Sequence, residues 1–358
     1  MRRTAVRLFA LAVLIVGALG IAAAWEISRF EAKGPLNANA TVIIPQGSGL
    51  SDIAHLLVQN GIVSSALTFE AGVKVFGGER PLRAGEYAVS ANASGRNVMD
   101  LLQSGRTVLR KVTIAEGLTD AQVAEELRAA EGLMGAMPQL PGEGRILPQT
   151  YSYTYGDSRS EMVSRMTKAM DEQLAMLWAH RAADLPLKSP QEALILASIV
   201  EKETGRPEER PHVASVFLNR LEKGMRLQSD PTVVYALTMG TGPLGRPLTH
   251  ADLETPSPYN TYEIDGLPPS PIDNPGRESI LAVTRPADTE DLYFVADGNG
   301  GHVFARTLDD HNRNVGKLRK VQAHRENEQA NHDNEQAHRD NNPAKVNPSA
   351  GSGASPAR

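Results

Sequence analysis

Apolar positions fall into three regimes along the chain. Residues 8–25 form an unbroken run of 18 apolar or glycine residues, preceded by Arg2, Arg3 and Arg7. From about residue 41 to 320 apolar residues recur at short strand and helix spacings, broken by Gly/Pro-rich stretches. From Val321 onward the polar near-repeat AHRENEQANHDNEQAHRD and a Pro/Gly/Ser/Ala end carry no apolar period at all.

As a helix rising ~1.5 Å per residue, the first run reaches about 27 Å, close to the ~30 Å hydrocarbon layer of a bilayer. It predicts one membrane span, with Trp25 suited to an interface. Three arginines precede the span, while Arg29 and Lys33 follow it, which favours a cytoplasmic N-terminus and a body on the far side of the inner (plasma) membrane. Ala22 and Ala24 also make an A-x-A-like cleavage site. A signal-peptide apolar region is usually only ~7–15 residues, so a retained anchor is the better reading. Residues 1–33 are therefore assigned as N-terminus, anchor and juxtamembrane link.

Beyond the anchor, a strand over 41–44, a glycine turn and a helix opening at Ser51 with Asp52 recur as a strand over 111–114, a glycine turn and a helix opening at Thr119. Ser51 and Thr119 are candidate N-caps. Between them lie a strand over 85–89 and a helix over 97–102 ended by Gly105. Such small units cover their apolar faces by packing on neighbours, so 34–130 is expected to form one small α+β module. The units resemble LysM carbohydrate-binding modules, although spacing alone allows a purely structural role. A Gly/Pro-rich stretch over 132–148 reads as a linker or loop.

Region 131–320 predicts helices over 161–180, 189–204 and 211–223, long loops over 230–276, and short strands over 292–296 and 302–305. It reads as a second α+β domain whose loops shape a groove. Residues 321–358 are expected to be a disordered polar tail, because ordering them buries nothing. His324, His332 and His338 in that tail fit solvated low complexity better than a metal site.

Composition narrows the function classes. A chain of 358 residues suits two domains, and 41% hydrophobic with 22% charged residues excludes a polytopic membrane protein and a wholly disordered chain. A net charge of −5 argues against nucleic acid as a partner. The absence of cysteine excludes disulfides, thiol nucleophiles and Cys-ligated metals.

Candidate chemistry lies in the 189–205 helix. Ser189 and Glu192 form a capping-box pattern around Pro190, and Gly205 and Pro207 stop the helix. Glu203 shares the stripe of Leu196, Ile199 and Val200, whereas Glu201 lies about 200° around the helix from it. The two carboxylates therefore serve different surroundings. Partial burial and the negative helix end both raise the pKa of Glu203, with Lys202 as an opposing neighbour, which suits a general acid. On spacing alone, a capping or solvated glutamate is the simpler reading. Asp230 precedes a proline in Gln228-Ser-Asp-Pro-Thr232, an extended or turn conformation that either caps the turn or presents a carboxylate to a groove. Tyr259, Asn260 and Tyr262 offer stacking and amide hydrogen bonds suited to sugars, or close a loop. His212 and His250 lack metal-ligand spacing, and neither metal nor cofactor is expected.

Ordered blocks carry a stronger signal. Ala197-Ser-Ile-Val-Glu-Lys-Glu-Thr204, Ala214-Ser-Val-Phe-Leu-Asn-Arg220, Met225-Arg-Leu-Gln-Ser-Asp-Pro-Thr-Val-Val-Tyr235, Tyr259-Asn-Thr-Tyr262, Gly266-Leu-Pro-Pro269, Tyr293-Phe-Val-Ala-Asp297 and Gly301-His-Val-Phe304 follow one another along the chain. From residue 41 to about 320 it resembles the endolytic murein transglycosylases of the MltG (YceG-like) family. The resemblance implies cleavage of the MurNAc-β-1,4-GlcNAc bond within nascent peptidoglycan strands, leaving 1,6-anhydro ends, with Glu203 as the essential acid/base. It makes Gln228, Asp230, Thr232, Tyr259, Asn260 and Tyr262 candidate substrate contacts and a cell-wall synthase complex a candidate partner. A hydrolytic muramidase using Glu203 and Asp230 is the nearest alternative. A noncatalytic peptidoglycan-binding scaffold for cell-wall synthesis is another.

Overall fold

A computed structural model describes residues 2–340, and the chain divides into two compact units. The first comprises Met1–Gln173 with two short returns, Met239–Pro243 and Asp273–Gly276. The second comprises Leu174–Thr238, Leu244–Ile272 and the chain from Arg277 onward. The secondary structure is mixed α and β, with small two-stranded sheets.

In the first unit the apolar run lies in α1 (Arg2–Glu31), of which Arg7–Glu31 is long and apolar enough to cross a membrane and makes no buried window. The helix does not stop where the apolar run ends. It continues to Glu31 and places Phe30, 2% exposed, in the first core. The expected juxtamembrane link is thus largely helix and packed residue.

That core belongs to β1 (Ala40–Ile44), α2 (Leu50–Gln59), α3 (Ala66–Phe76), β2 (Gly85–Val89) and α4 (Gly95–Ser104), with β1 and β2 antiparallel. Ile44, Leu57, Phe69, Tyr87 and Leu102 fill it. The cap of α2 differs from the expected Ser51. Gly49 takes the N-cap position and its N–H donates to Asp52 Oδ2, since Ser51 lies within the first turn. Helix α3 lies where the sequence reading marks no element, and its N-cap is Ser65.

A second core in the same unit joins β3 (Leu109–Thr113), α5 (Asp120–Ala129), β4 (Thr150–Thr154) and the start of α6 (Arg159–Ala179). Strand β3 pairs antiparallel with β4, not with β1 or β2. The supposed single module over 34–130 therefore contains two cores, and its second half pairs across residue 130. Val112 and Val123 reach Tyr151 and Tyr153 there, a pairing that local pattern cannot specify. Thr119 caps α5 as expected, accepting from Gln122 N. The 132–148 stretch forms no helix or strand, but Leu133 and Ile146 anchor it in this core, so it is a packed loop.

The second unit holds α7 (Pro190–Glu203), α8 (Arg210–Glu222), α9 (Asp230–Thr238), α10 (His250–Leu253), α11 (Arg277–Thr284), the antiparallel pair β5 (Tyr293–Ala296) and β6 (His302–Ala305), and α12 (Leu308–Asp340). Ala193 to Val200 of α7 are buried, and the helix packs against α8, α9 and α11. Ser189 caps it by accepting from Glu192 N, while Glu192 Oε2 accepts from Lys188 N, so the expected box is only half closed.

Helix α12 continues through residues 321–340, where a disordered tail is expected. Its Ala, Glu, Gln and Arg residues are good helix formers, and no proline intervenes before Pro343. Polarity on all sides removes a hydrophobic packing face without removing helix propensity. The side chains of His324, His332 and His338, and all of 341–358, lie outside the described residues.

Candidate active site

A groove of about 400 Å³ in the second unit is lined by Glu203, Arg220, Gln228, Asp230, Tyr262 and His311, with Leu227, Phe294 and Val295. Glu203 arrives there because it is the last residue of α7, on the same stripe as Leu196, Ile199 and Val200, all fully buried. The residue is half-buried and opens into the groove. Ser229 Oγ donates to Glu203 Oε1 at 2.5 Å.

Burial pushes the Glu203 carboxyl up to about 7 from an ordinary 4.5. The Ser229 hydrogen bond opposes that rise, the negative charge of Asp230 adds to it, and the Arg220 guanidinium opposes it. The Arg220 guanidinium is thus a cation that acts on Glu203. A carboxyl titrating near neutrality can carry a proton to a substrate and take one back.

Glu201, two residues earlier, faces elsewhere. Its Oε1 accepts from Arg210 Nη2 at 2.8 Å and its Oε2 from Ser279 Oγ at 2.7 Å. Arg210 and Glu201 side chains are only 9% and 5% exposed, so this is a buried structural ion pair.

Ser229 is held from behind by a threonine lattice. Its N–H donates to Thr261 Oγ1, its carbonyl accepts from Thr232 Oγ1, and Thr232 and Thr261 hydroxyls meet at 2.8 Å. Gln228 takes a left-handed φ of 53°, which turns the chain so that Gln228 lines the groove while Ser229 addresses Glu203. Asp230 then opens α9, with Pro231 in its first turn, where an absent N–H costs nothing. The extended or turn conformation expected at Asp230 gives way to a helix start. Tyr262 OH donates to Asp230 Oδ1 at 2.6 Å, and burial together with that bond pushes the phenol pKa up, so the hydroxyl stays a donor.

The six candidate substrate residues therefore separate. Gln228, Asp230 and Tyr262 line the groove. Thr232, fully buried, belongs to the lattice behind it. Asn260, also fully buried, donates to the carbonyls of Leu253 and Thr255 and accepts from Tyr262 N, so it closes a loop. Tyr259 donates to or accepts from Ser270 Oγ and packs on Tyr235, away from the lining.

Three groove neighbours escape a reading of local pattern. Ser229 looks like an ordinary turn serine. Arg220 is buried on α8, donating to the carbonyls of Arg226, Leu227 and Leu292. His311, on α12, lies far along the chain from Glu203, Arg220 and the Leu227–Asp230 side of the groove, and stacks on Tyr293. Its Nδ1 is buried without a hydrogen-bond partner, and burial beside Arg220 pulls its pKa down. His212 pairs with Asp291 and stacks on Phe304, whereas His250 is exposed beside Glu254.

A model of the YceG-like family matches residues 42–317, and the chain belongs to that family. A Bacillus subtilis relative, named endolytic murein transglycosylase, is 33% identical over 316 residues, covering 79% of this chain and 84% of the relative. A Streptococcus pneumoniae relative of the same name is 30% identical over 334 residues, covering 78% of this chain. The match spans 59% of that pneumococcal protein's length. A crystal structure from Listeria monocytogenes, described as yceG-like, is 32% identical, with a TM-score of 0.49, covering 77% of this chain and 98% of the other.

Proposed function

We propose that this protein is an endolytic peptidoglycan lytic transglycosylase, anchored through α1 in the inner membrane with its body outside the cytoplasm. The observation that carries the reading is Glu203, a single carboxyl titrating near 7 at the mouth of an otherwise buried helix. The names of the Bacillus and Streptococcus relatives agree with it.

The chemistry needs one proton carrier. Glu203 donates its proton to the glycosidic oxygen of the MurNAc-β-1,4-GlcNAc bond as that bond breaks. The C6 hydroxyl of the same MurNAc then attacks its anomeric carbon and gives its proton to the Glu203 carboxylate. The product carries a 1,6-anhydro end, no water is consumed, and Glu203 is returned protonated. An ordinary glycosidase requires a second carboxylate as nucleophile or base. Internal attack removes that requirement and supplies the nucleophile already positioned. Arg220, Gln228, Asp230, Tyr262 and His311 are the polar groups that line the groove around Glu203. The β1-α2-α3-β2 order, two helices between antiparallel strands, supports a LysM-like glycan-binding role for the first core.

Asp230 keeps a second reading in play, since it lies in the same groove and is able to assist a water. Incubating the full chain in detergent micelles with uncrosslinked glycan strands in oxygen-18 water, followed by mass spectrometry, separates the two. Anhydro ends without label are expected from the wild type, and none from Glu203→Gln. Labelled reducing ends would establish hydrolysis instead, and full activity in Glu203→Gln would remove Glu203 from the chemistry.

A further inference from the structure

Helix α3 carries an apolar surface that the fold leaves uncovered. Leu67 and Val75 are 80% and 66% exposed, and with Ala71 they recur every fourth residue, on one face of the helix. This face borders an apolar groove of about 370 Å³. One wall is Ala71, Val75 and Phe76 of α3; the other is Leu19, Ala22 and Ala23 of α1. Those three α1 residues lie inside the apolar run that is long enough to span a bilayer. If that run is in lipid, the groove opens at the level where the span ends.

A hydrogen bond and close packing join α1 to α3. Thr68 Oγ1 of α3 donates to Glu26 Oε2 of α1 at 2.7 Å, one residue past Trp25. Phe30 sits against Gly72 and Gly95 so closely that a Cβ on either would lie 2.4 to 2.6 Å from its ring. Cations accompany the apolar face: Lys74 is exposed on α3 itself, Lys33 is exposed just past α1, and Arg96, paired with Asp100, lies over the Phe76 ring at 4.8 Å. An exposed apolar stripe edged by Lys and Arg is the pattern of a helix lying in a membrane interface.

We infer that α3 is a membrane-interfacial helix, with Leu67, Ala71 and Val75 seated at the boundary of headgroups and acyl chains of the bilayer that α1 crosses, and acyl chains occupying the α1–α3 groove. This rests on the reading of α1 as an anchor. The continuity of the groove with the lipid-facing side of α1 is what selects lipid as its occupant. A soluble ligand would have to enter a cleft whose wall is the membrane span itself.

The chain has no cysteine, so single labels can be placed cleanly. Full-length L67C and V75C, with L14C in the span and T41C on the exposed side of β1 as references, would each carry an environment-sensitive fluorophore. They would be reconstituted in phosphatidylethanolamine and phosphatidylglycerol vesicles containing lipids with a nitroxide near the headgroup or at the chain end. The expected result is loss of V75C and L67C fluorescence that is greater with the shallow nitroxide, deep-nitroxide loss at L14C, and neither at T41C. Quenching of L14C but not of V75C or L67C would overturn the interfacial helix while leaving the anchor standing. Absence of quenching at L14C would overturn both. Oxidative dimerisation of V75C with exclusion of lipid quenchers would assign the face to a second copy of the chain and overturn the proposal.

Discussion

The carboxyl of Glu203 is poised by an imbalance among four influences, and each can be removed separately. Burial and Asp230 raise its pKa, while Ser229 and Arg220 lower it. Asp230→Asn should therefore shift the alkaline limb of kcat/KM toward lower pH, and Ser229→Ala should shift it higher, because kcat/KM requires the protonated acid. For internal attack, anhydro-product formation survives in Asp230→Asn. For hydrolysis assisted by Asp230, it would collapse, so one pH–rate profile with product analysis tests both points. Glu203→Gln should lower turnover by about 10²-fold or more.

Stability obeys the same pKa with a definite sign. The folded value near 7 stands above the ordinary 4.5, so the folded protein binds more protons between those values and loses stability as pH rises through that window. Glu203→Gln escapes that loss. Its unfolding free energy, from urea denaturation, should match the wild type well below pH 4.5 and exceed it at pH 8, by up to roughly 3 kcal/mol before relaxation of the site is allowed for. A wild type that is equally or more stable at pH 8 would mean that the carboxylate is better solvated than its enclosure indicates.

Elements differ in how openly the sequence displays them. Helix α7 is legible from both ends, because Ser189, Pro190 and Gly205 are local signals and its apolar interior leaves only burial as an explanation. Glu201 and Glu203 could be separated by helix geometry alone. Helix α9 is less legible, since a residue before proline favours extended backbone, and only the rest of the helix reveals Asp230 as its opening. The β3–β4 pairing and the approach of His311 depend on chain closure over tens of residues, which no local period encodes.

The buried Glu201–Arg210 pair supplies the contrast to Glu203 within one helix. Glu201→Ala leaves the Arg210 guanidinium without this carboxylate and should destabilise the second unit by about 3–5 kcal/mol in chemical denaturation, while the pH profile of the proposed activity in the protein that remains folded keeps its shape. At the other end of the chain, Gly72→Ala improves helix propensity by about 1 kcal/mol, yet its Cβ would meet the Phe30 ring at 2.4 Å. Because Phe30 is 2% exposed and has nowhere to move, the net effect should be destabilising, by about 1–3 kcal/mol in thermal melts.

For the molecule as a whole, the first unit begins before the point where the apolar run ends. A soluble form starting at residue 34 discards Phe30 and leaves its socket among Phe69, Gly72 and Phe76 empty. It should be less stable than a form starting at residue 27 by about 3 kcal/mol or more, measurable by urea denaturation of the two side by side.

Under the proposed anchoring through α1, a tether of loose chain would transmit only distance from the bilayer. An unbroken helix with Phe30 locked between two glycines transmits angle as well. One residue added between Glu26 and Phe30 would advance the helix by about 100°, turning the socket away from the side of α1 that Leu19 shares with Phe30, whereas three or four added residues nearly restore the phase. The length of this segment is thus constrained like the tooth count of a gear, and tolerance to insertion there should be periodic in the helical repeat.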